Sequence, residues 1–247
     1  MKVVILCGGK GSRLASNNEP SPKTLSLVNG KPIIWHIMKI YMHYGINEFI
    51  LPLGYGGEKI KDYFYNYEWR NFDFVKDSNK INLLKKSEDW KITFVDTGIE
   101  TMTGGRIKRV QCYIDEDVFM LTYGDGLSDI NIRELLNFHY NMGKIATITG
   151  IERKSQYGIL SLQNNIANTF EEKSRLDGII NGGFFVCNKK IFDYIDDDNN
   201  CVFEQKPLKD LIKDGQVAVY LHKGYWIGID TYKDLLTANE TWKSNSI

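Results

Sequence analysis

Cysteine, histidine and proline are scarce in this chain: four, four and five residues out of 247. The cysteines Cys7, Cys112, Cys187 and Cys201 lack the close pairing of a zinc or redox site. Cys7, Cys112 and Cys187 lie in apolar stretches and read as buried thiols of a reduced, cytoplasmic protein. His36 and His43 sit two turns apart on one predicted helix and read as surface or core residues rather than ligands. Neither sign of charge is in excess, with 31 Lys+Arg against 31 Asp+Glu, which argues against a nucleic-acid-binding surface. No apolar run approaches the roughly 18 residues of a membrane span. A strand begins at once after Met1, so no signal peptide is expected. Without secretion, the sequon Asn239-Glu240-Thr241 carries no meaning.

Glycine, by contrast, is plentiful, and its most informative cluster opens the chain. Residues 3–14 read VVILCGGKGSRL, and the pair Pro22-Lys23 follows. Val3 to Leu6 form a continuous, β-branched apolar run ending near glycine, as in the middle of a parallel sheet. Gly8, Gly9 and Gly11 let the backbone bend and bring N–H groups against a phosphate chain, while Arg13 and Lys23 add full positive charge. Two other glycine loops are excluded. A dinucleotide fingerprint needs glycine at Leu14 and an acid near Leu27 to Asn29; a P-loop needs Ser or Thr where Gly11 follows Lys10.

Strands and helices alternate along the rest. The pattern predicts an α/β, Rossmann-like mixed but mostly parallel central sheet with helices on both faces. Lys31-Pro32 is expected to start a helix running through IIWHIMKIYMHY to Gly45. NEFILPL (47–53), KITFVDT (91–97), DVFMLTYGDG (117–126) and QVAVYLH (216–222) read as strands. Short helices are expected near 57–67, after Thr103-Gly104-Gly105 and at 206–214, with NIRELLNFHYNMG another helix and 230–243 the closing one. Residues 68–90 read as a surface excursion, and 144–152, 157–162 and 181–188 as a partly antiparallel second half. No linker forces a second domain: residues 1–247 are expected to form one, with 1–130 the nucleotide-binding half and 131–247 the acceptor-binding half.

Loops after parallel strands converge at one edge of such a sheet. Asp125, between Gly124 and Gly126, is therefore a candidate magnesium ligand, since magnesium takes one or two carboxylates plus phosphate oxygens. Asp230 is the second candidate; it also suits the N-cap of the closing helix. Asp96-Thr97-Gly98 mimics an aspartic-protease triplet, but no second copy exists to oppose it.

The run Gly8-Gly9-Lys10-Gly11-Ser12-Arg13-Leu14 followed by Pro22-Lys23 resembles the signature of the nucleoside-triphosphate:sugar-1-phosphate nucleotidyltransferases. Gly30-Lys31-Pro32, Val95-Asp96-Thr97-Gly98, Met102-Thr103-Gly104-Gly105-Arg106, Thr122-Tyr123-Gly124-Asp125-Gly126, Asn181-Gly182-Gly183 and Ile229-Asp230-Thr231 narrow the likeness to glucose-1-phosphate cytidylyltransferases. It runs from Met1 to about Asp234 and implies the nucleotide-diphospho-sugar transferase fold, CTP and Mg2+. By that resemblance Leu6, Cys7, Gly8, Gly9, Lys10, Gly11, Ser12 and Arg13 hold the base and phosphates, joined by Lys23, Thr101, Arg106 and Gly124. Lys173 takes the acceptor phosphate or is a solvated charge, and Asn181 reaches the acceptor. Arg13, Lys23, Asp125 and Asp230 carry the reaction, the two aspartates as metal ligands. The implied partners are CTP and a small phosphorylated acceptor, with no nucleic acid or membrane and with a homo-oligomer left open.

The chain departs from the sugar enzymes on the acceptor side. Ser21 and Thr24-Leu25 flank the Pro-Lys pair where a basic residue and proline are usual; Glu172-Lys173-Ser174 replaces E-K-P, and Trp226-Ile227-Gly228-Ile229-Asp230 replaces W-Q-P-M-D. That divergence is similar to the CTP:phosphoglutamine cytidylyltransferases of capsule phosphoramidate biosynthesis, which make CDP-L-glutamine. The resemblance thus makes L-glutamine phosphate the expected acceptor and glucose 1-phosphate the alternative. A non-catalytic nucleotide-sensing module is a further reading, disfavoured because both Asp125 and Asp230 stand in motif.

Overall fold

The structure, a computed structural model, describes residues 1–9, 21–78, 80–85, 87–154, 159–163, 166–171 and 176–243. Lys10, Gly11, Ser12, Arg13 and Lys173, all named above, lie outside the described residues.

In chain order, β1 (Lys2–Leu6) leads to the ribbon β2 (Leu27–Val28) and β3 (Lys31–Pro32), then α1 (Ile33–His43), β4 (Glu48–Leu53), α2 (Gly57–Tyr65) and α3 (Tyr67–Asn71). The hairpin β5 (Phe74–Lys76) and β6 (Ile81–Leu83) precedes β7 (Lys91–Asp96), α4 (Thr103–Arg109), β8 (Val118–Tyr123), β9 (Gly126–Ser128) and α5 (Ile132–Met142). The second half holds β10 (Ala146–Lys154), the hairpin β11 (Ile159–Gln163) and β12 (Ile166–Glu171), and β13 (Leu176–Asn188). It closes with α6 (Lys206–Lys213), β14 (Val217–His222), β15 (Trp226–Gly228) and α7 (Tyr232–Thr241).

Seven strands form the central sheet in the order β14-β10-β13-β8-β1-β4-β7. Four of its pairings are parallel; only β13 runs the other way, between β10 and β8. Alternate residues of each strand feed two cores, because side chains on a strand point to opposite faces. Val3, Ile5, Phe49, Leu51, Met120 and Phe184 pack under α1, α2, α5 and α7. Val4, Ile50, Phe119, Leu121 and Phe185 pack on the other face against Ile107 of α4 and Leu211 of α6. The chain is thus an α/β protein with a mostly parallel sheet and helices on both faces.

Two local expectations are corrected. Pro32 does not open α1 from inside: it is the N-cap residue, extended at ψ 148°, because Lys31–Pro32 is spent pairing with Leu27–Val28. Residues 68–90 form the expected surface excursion, none of the described ones being buried; they hold most of α3 and a β-hairpin, tied to α1 by a Lys39–Glu88 ion pair at 2.9 Å. Cys112 is exposed, because it sits on a short 3-10 turn (Gln111–Tyr113) whose outer side faces solvent. His36 is a core residue: Val28 O lies 2.8 Å from Nε2, and Trp242 Nε1 donates to Nδ1 at 3.1 Å. His43 is exposed.

Candidate active site

The parallel strands β1, β4, β7 and β8 end along one edge, and the segments leaving β1, β7 and β8 line a cavity of about 720 Å³. Leu6, Cys7, Gly8 and Gly9 line one wall, Ile99–Thr103 with Arg106 another, and Gly124–Gly126 the floor beside Lys23 and Thr24. Asn181–Phe184, Trp226, Gly228 and Asp230 complete it. Eleven sequence-expected site residues therefore line one cavity: Leu6, Cys7, Gly8, Gly9, Lys23, Thr101, Arg106, Gly124, Asp125, Asn181 and Asp230.

Arg106 is placed differently from a side chain that merely points at a ligand. It is 4% exposed, and its guanidinium is consumed by protein acceptors. It donates to Leu53 O at 2.8 Å, Thr97 Oγ1 at 2.7 Å, Gly8 O at 3.1 Å and Ile99 O at 3.1 Å. Those acceptors follow or end β1, β4 and β7, so one planar cation staples three adjacent strand ends. Burial lowers its pKa, and the nearby charge of Arg109 adds to that.

The same contact explains two glycines. A Cβ on Gly8 or on Gly54 would strike the Arg106 guanidinium. Gly8 is therefore required by an arginine 98 residues away, in addition to any phosphate it meets. Gly54 carried no sequence signal, because it follows an ordinary strand. Gly8→Ala is expected to cost about 1–3 kcal/mol as overpacking, which thermal unfolding would show as a Tm fall of about 3–10 °C. An unchanged Tm would mean that Arg106 yields freely.

Asp125 and Asp230 are 105 positions apart in the chain yet face one point. β9 and β15 pair antiparallel, with Gly126 opposite Gly228, and Ile229 N donates to Asp125 O at 2.9 Å. This ribbon carries both carboxylates to Lys23, whose Nζ lies 2.7 Å from Asp125 and 2.6 Å from Asp230. Burial works against the Lys23 ammonium, but the two aspartates outweigh it and raise its pKa. The capping of α7 falls to Thr231 and Asp234, which form a reciprocal capping box. Asp230 is thereby left with its carboxylate directed at Lys23 rather than spent as a cap.

Two hard oxygen donors converging on one cation position fit magnesium, which completes its shell with water and phosphate. Among the described residues no group of three or more acidic, histidine or cysteine ligands exists, so an all-protein metal cage is not built here. Asp96, of the protease-like triplet, accepts from Gly98 N at 3.0 Å, and Thr97 donates to Leu53 O at 2.6 Å. Both serve the turn that carries Thr101.

Two further wall residues stand in motifs of the sequence without a role assigned to them. Tyr123 and Trp226 line the cavity; the indole of Trp226 donates to Gly182 O at 2.7 Å. Behind the wall, residues 198–204 brace the Ile99–Thr103 segment. Asn199 O accepts from Met102 N at 2.8 Å, and its side chain accepts from Thr101 at 3.2 Å and Arg109 at 2.6 Å. Gly104 and Gly105 pack so closely on Cys201 and Asp198 that a Cβ on either would clash. A polar loop with no motif gave no means of foreseeing this.

A family model described as nucleotidyl transferase matches residues 2–245. The chain is 53% identical over 244 residues to a probable glucose-1-phosphate cytidylyltransferase of Bacillus subtilis (strain 168), covering 98% of this chain and 96% of that one. It is 42% identical over 248 residues to the glucose-1-phosphate cytidylyltransferase of Salmonella typhi, with the same coverage of 98% and 96%. Among solved structures, HddC from Yersinia pseudotuberculosis complexed with GMP-PN is similar at TM-score 0.70 and 27% identity, covering 98% of this chain and 99% of that one.

Proposed function

Because the chain belongs to the nucleotidyl transferase family and is an enzyme of its cytidylyltransferase kind, we propose that it moves CMP from CTP onto the phosphate of glucose 1-phosphate, releasing pyrophosphate. The observation that carries this reading is the convergence of Asp125 and Asp230 on Lys23 inside the strand-end cavity. The acceptor assignment draws on the relatives, whose matches extend over almost the whole chain.

The chemistry follows from charge and alignment. An acceptor phosphate is largely ionised near neutral pH, its second pKa being about 6, so attack on the α-phosphorus needs no general base. The wall formed by Leu6–Gly9 and Thr101 would hold the nucleotide, and Asn181 the acceptor, with the aspartate pair between them. Lys23 would exchange its carboxylate partners for phosphate oxygens and cancel charge as pyrophosphate leaves. Asp125 and Asp230 would hold magnesium, which supplies Lewis acidity at the phosphate chain. Arg13 joins this set through its motif.

L-glutamine phosphate remains the second acceptor reading, on one observation. Thr24, standing where the sugar enzymes carry proline, lines the cavity, and its buried hydroxyl has no protein partner among the described residues. The departure at Ile227 lends less support than its sequence suggested. Trp226 and Gly228 line the cavity, whereas Ile227 packs into the core on the opposite side of β15. A pyrophosphate-release assay crossing CTP, UTP and dTTP with glucose 1-phosphate and L-glutamine phosphate tests both. The expected result is fastest release with CTP and glucose 1-phosphate, at least about tenfold above any other pair, a difference one or two good hydrogen bonds supply. Release with CTP only alongside L-glutamine phosphate would reassign the acceptor; none with CTP would remove the cytidylyl reading.

A further inference from the structure

We propose that Glu204 is a positioning residue that sets the hydrogen-bond polarity of the acceptor side of the cavity. The inference rests on the acceptor side being the one that holds Asn181, as proposed above. Glu204 lies between the 198–203 loop and α6, and its two oxygens serve two different walls. Oε1 accepts from the Tyr123 hydroxyl at 2.5 Å, and Oε2 accepts from Thr103 Oγ1 at 2.7 Å. Thr103 Oγ1 in turn accepts from Phe203 N at 2.9 Å.

An ionised carboxylate can only accept. Tyr123 is therefore obliged to donate to Glu204, and its oxygen is left to accept. It does so from Asn181 Nδ2, at 3.2 Å. The other end of that amide is fixed as well, since Asn181 Oδ1 accepts from Gly183 N at 2.8 Å. With one end pinned by a backbone N–H and the other by a phenol that must accept, the amide has one orientation. Its second N–H is the group left to offer from a residue that lines the cavity. Such a donor recognises an oxygen acceptor, either a hydroxyl lone pair or a phosphate oxygen.

Packing holds the relay in register. Gly183 has φ +79°, and a Cβ there would meet Tyr123 Cδ2 at 2.7 Å, so the tyrosine ring fills the space the glycine vacates. The carbonyl of Gly182 is held by the Trp226 indole at 2.7 Å. The Asn181–Gly183 segment is thus fixed by Tyr123 on one side and Trp226 on the other.

The test is steady-state pyrophosphate release with CTP and whichever acceptor the wild-type enzyme turns over. Tyr123→Phe, which removes both phenol contacts and little volume, should raise the acceptor KM about tenfold, the value of one well-placed hydrogen bond, and leave the CTP KM within about twofold. Glu204→Ala should raise the acceptor KM similarly, and the double variant should be no worse than either single, as expected for members of one chain. Glu204→Gln retains an oxygen that can accept from Tyr123 and should restore the acceptor KM to within about threefold of wild type. The proposal is overturned if Tyr123→Phe leaves the acceptor KM unchanged or raises both KM values equally. It is also overturned if Glu204→Gln is as impaired as Glu204→Ala. A mistaken function would show earlier, as a wild-type enzyme that releases no pyrophosphate.

Discussion

Asp125→Asn and Asp230→Asn are each expected to lower turnover by about 10²–10³-fold, the scale on which loss of one transition-state charge contact is felt. Stability should barely move. The side chains are 39% and 64% exposed, and their ion pairs with Lys23 are of the solvent-screened kind that contributes about 0–1 kcal/mol. Asparagine keeps the shape and the hydrogen-bonding oxygen but not the charge that would hold a divalent ion among phosphates. Pyrophosphate release measured across a magnesium titration, with Tm measured alongside, separates these effects. Turnover equal to wild type at saturating magnesium would take both aspartates out of the reacting centre. A large loss of Tm would mean that they support the ribbon instead.

For Arg106 the expectation is the reverse, with stability and nucleotide binding falling together. Arg106→Met would leave the carbonyls of Gly8 and Ile99 without this donor, while Leu53 O keeps the N–H and hydroxyl of Thr97. Each unmet buried group costs on the order of 1–3 kcal/mol before relaxation, so about 3–5 kcal/mol overall is expected. For a chain of this size that corresponds to a Tm fall of roughly 10 °C. The CTP KM should rise at least about tenfold, since the bonds that position Gly8 and Ile99 are those lost. Arg106→Lys should recover only part, because one ammonium cannot span acceptors on three strand ends. If Arg106 served only as a direct nucleotide contact, Tm would stay within about 1 °C and only KM would change. Thermal unfolding without ligand discriminates the two.

These contrasting roles were not equally visible beforehand. Asp125 and Asp230 were legible because each stands in a short motif whose meaning is chemical: Gly-Asp-Gly after a strand, Ile-Asp-Thr before a helix. Periodicity likewise located β1, β4, β7, β8 and α1, since burial on one or both faces writes a regular apolar pattern. Whether Asp230 caps α7 was not legible, because it depended on Asp234 reaching back to Thr231. Arg106 was legible as a site residue, but its task was hidden: its acceptors are main-chain oxygens and a threonine hydroxyl, and carbonyls have no sequence signature. Glu204, Asn199 and Gly54 were invisible for the same reason, each acquiring meaning only from a partner brought close by folding.

The sequence by itself therefore determined the class of fold and most of the candidate side chains that line the strand-end cavity. Those properties are local: strand period, turn glycines and motif charges are set within a few residues of one another. Tertiary structure alone decided how the parts cooperate. It brought two carboxylates onto one lysine, one guanidinium across three strand ends, and one glutamate between two cavity walls. Most of these contacts join residues 53 to 207 positions apart, where the direction of a hydrogen bond depends on packing that no local pattern encodes.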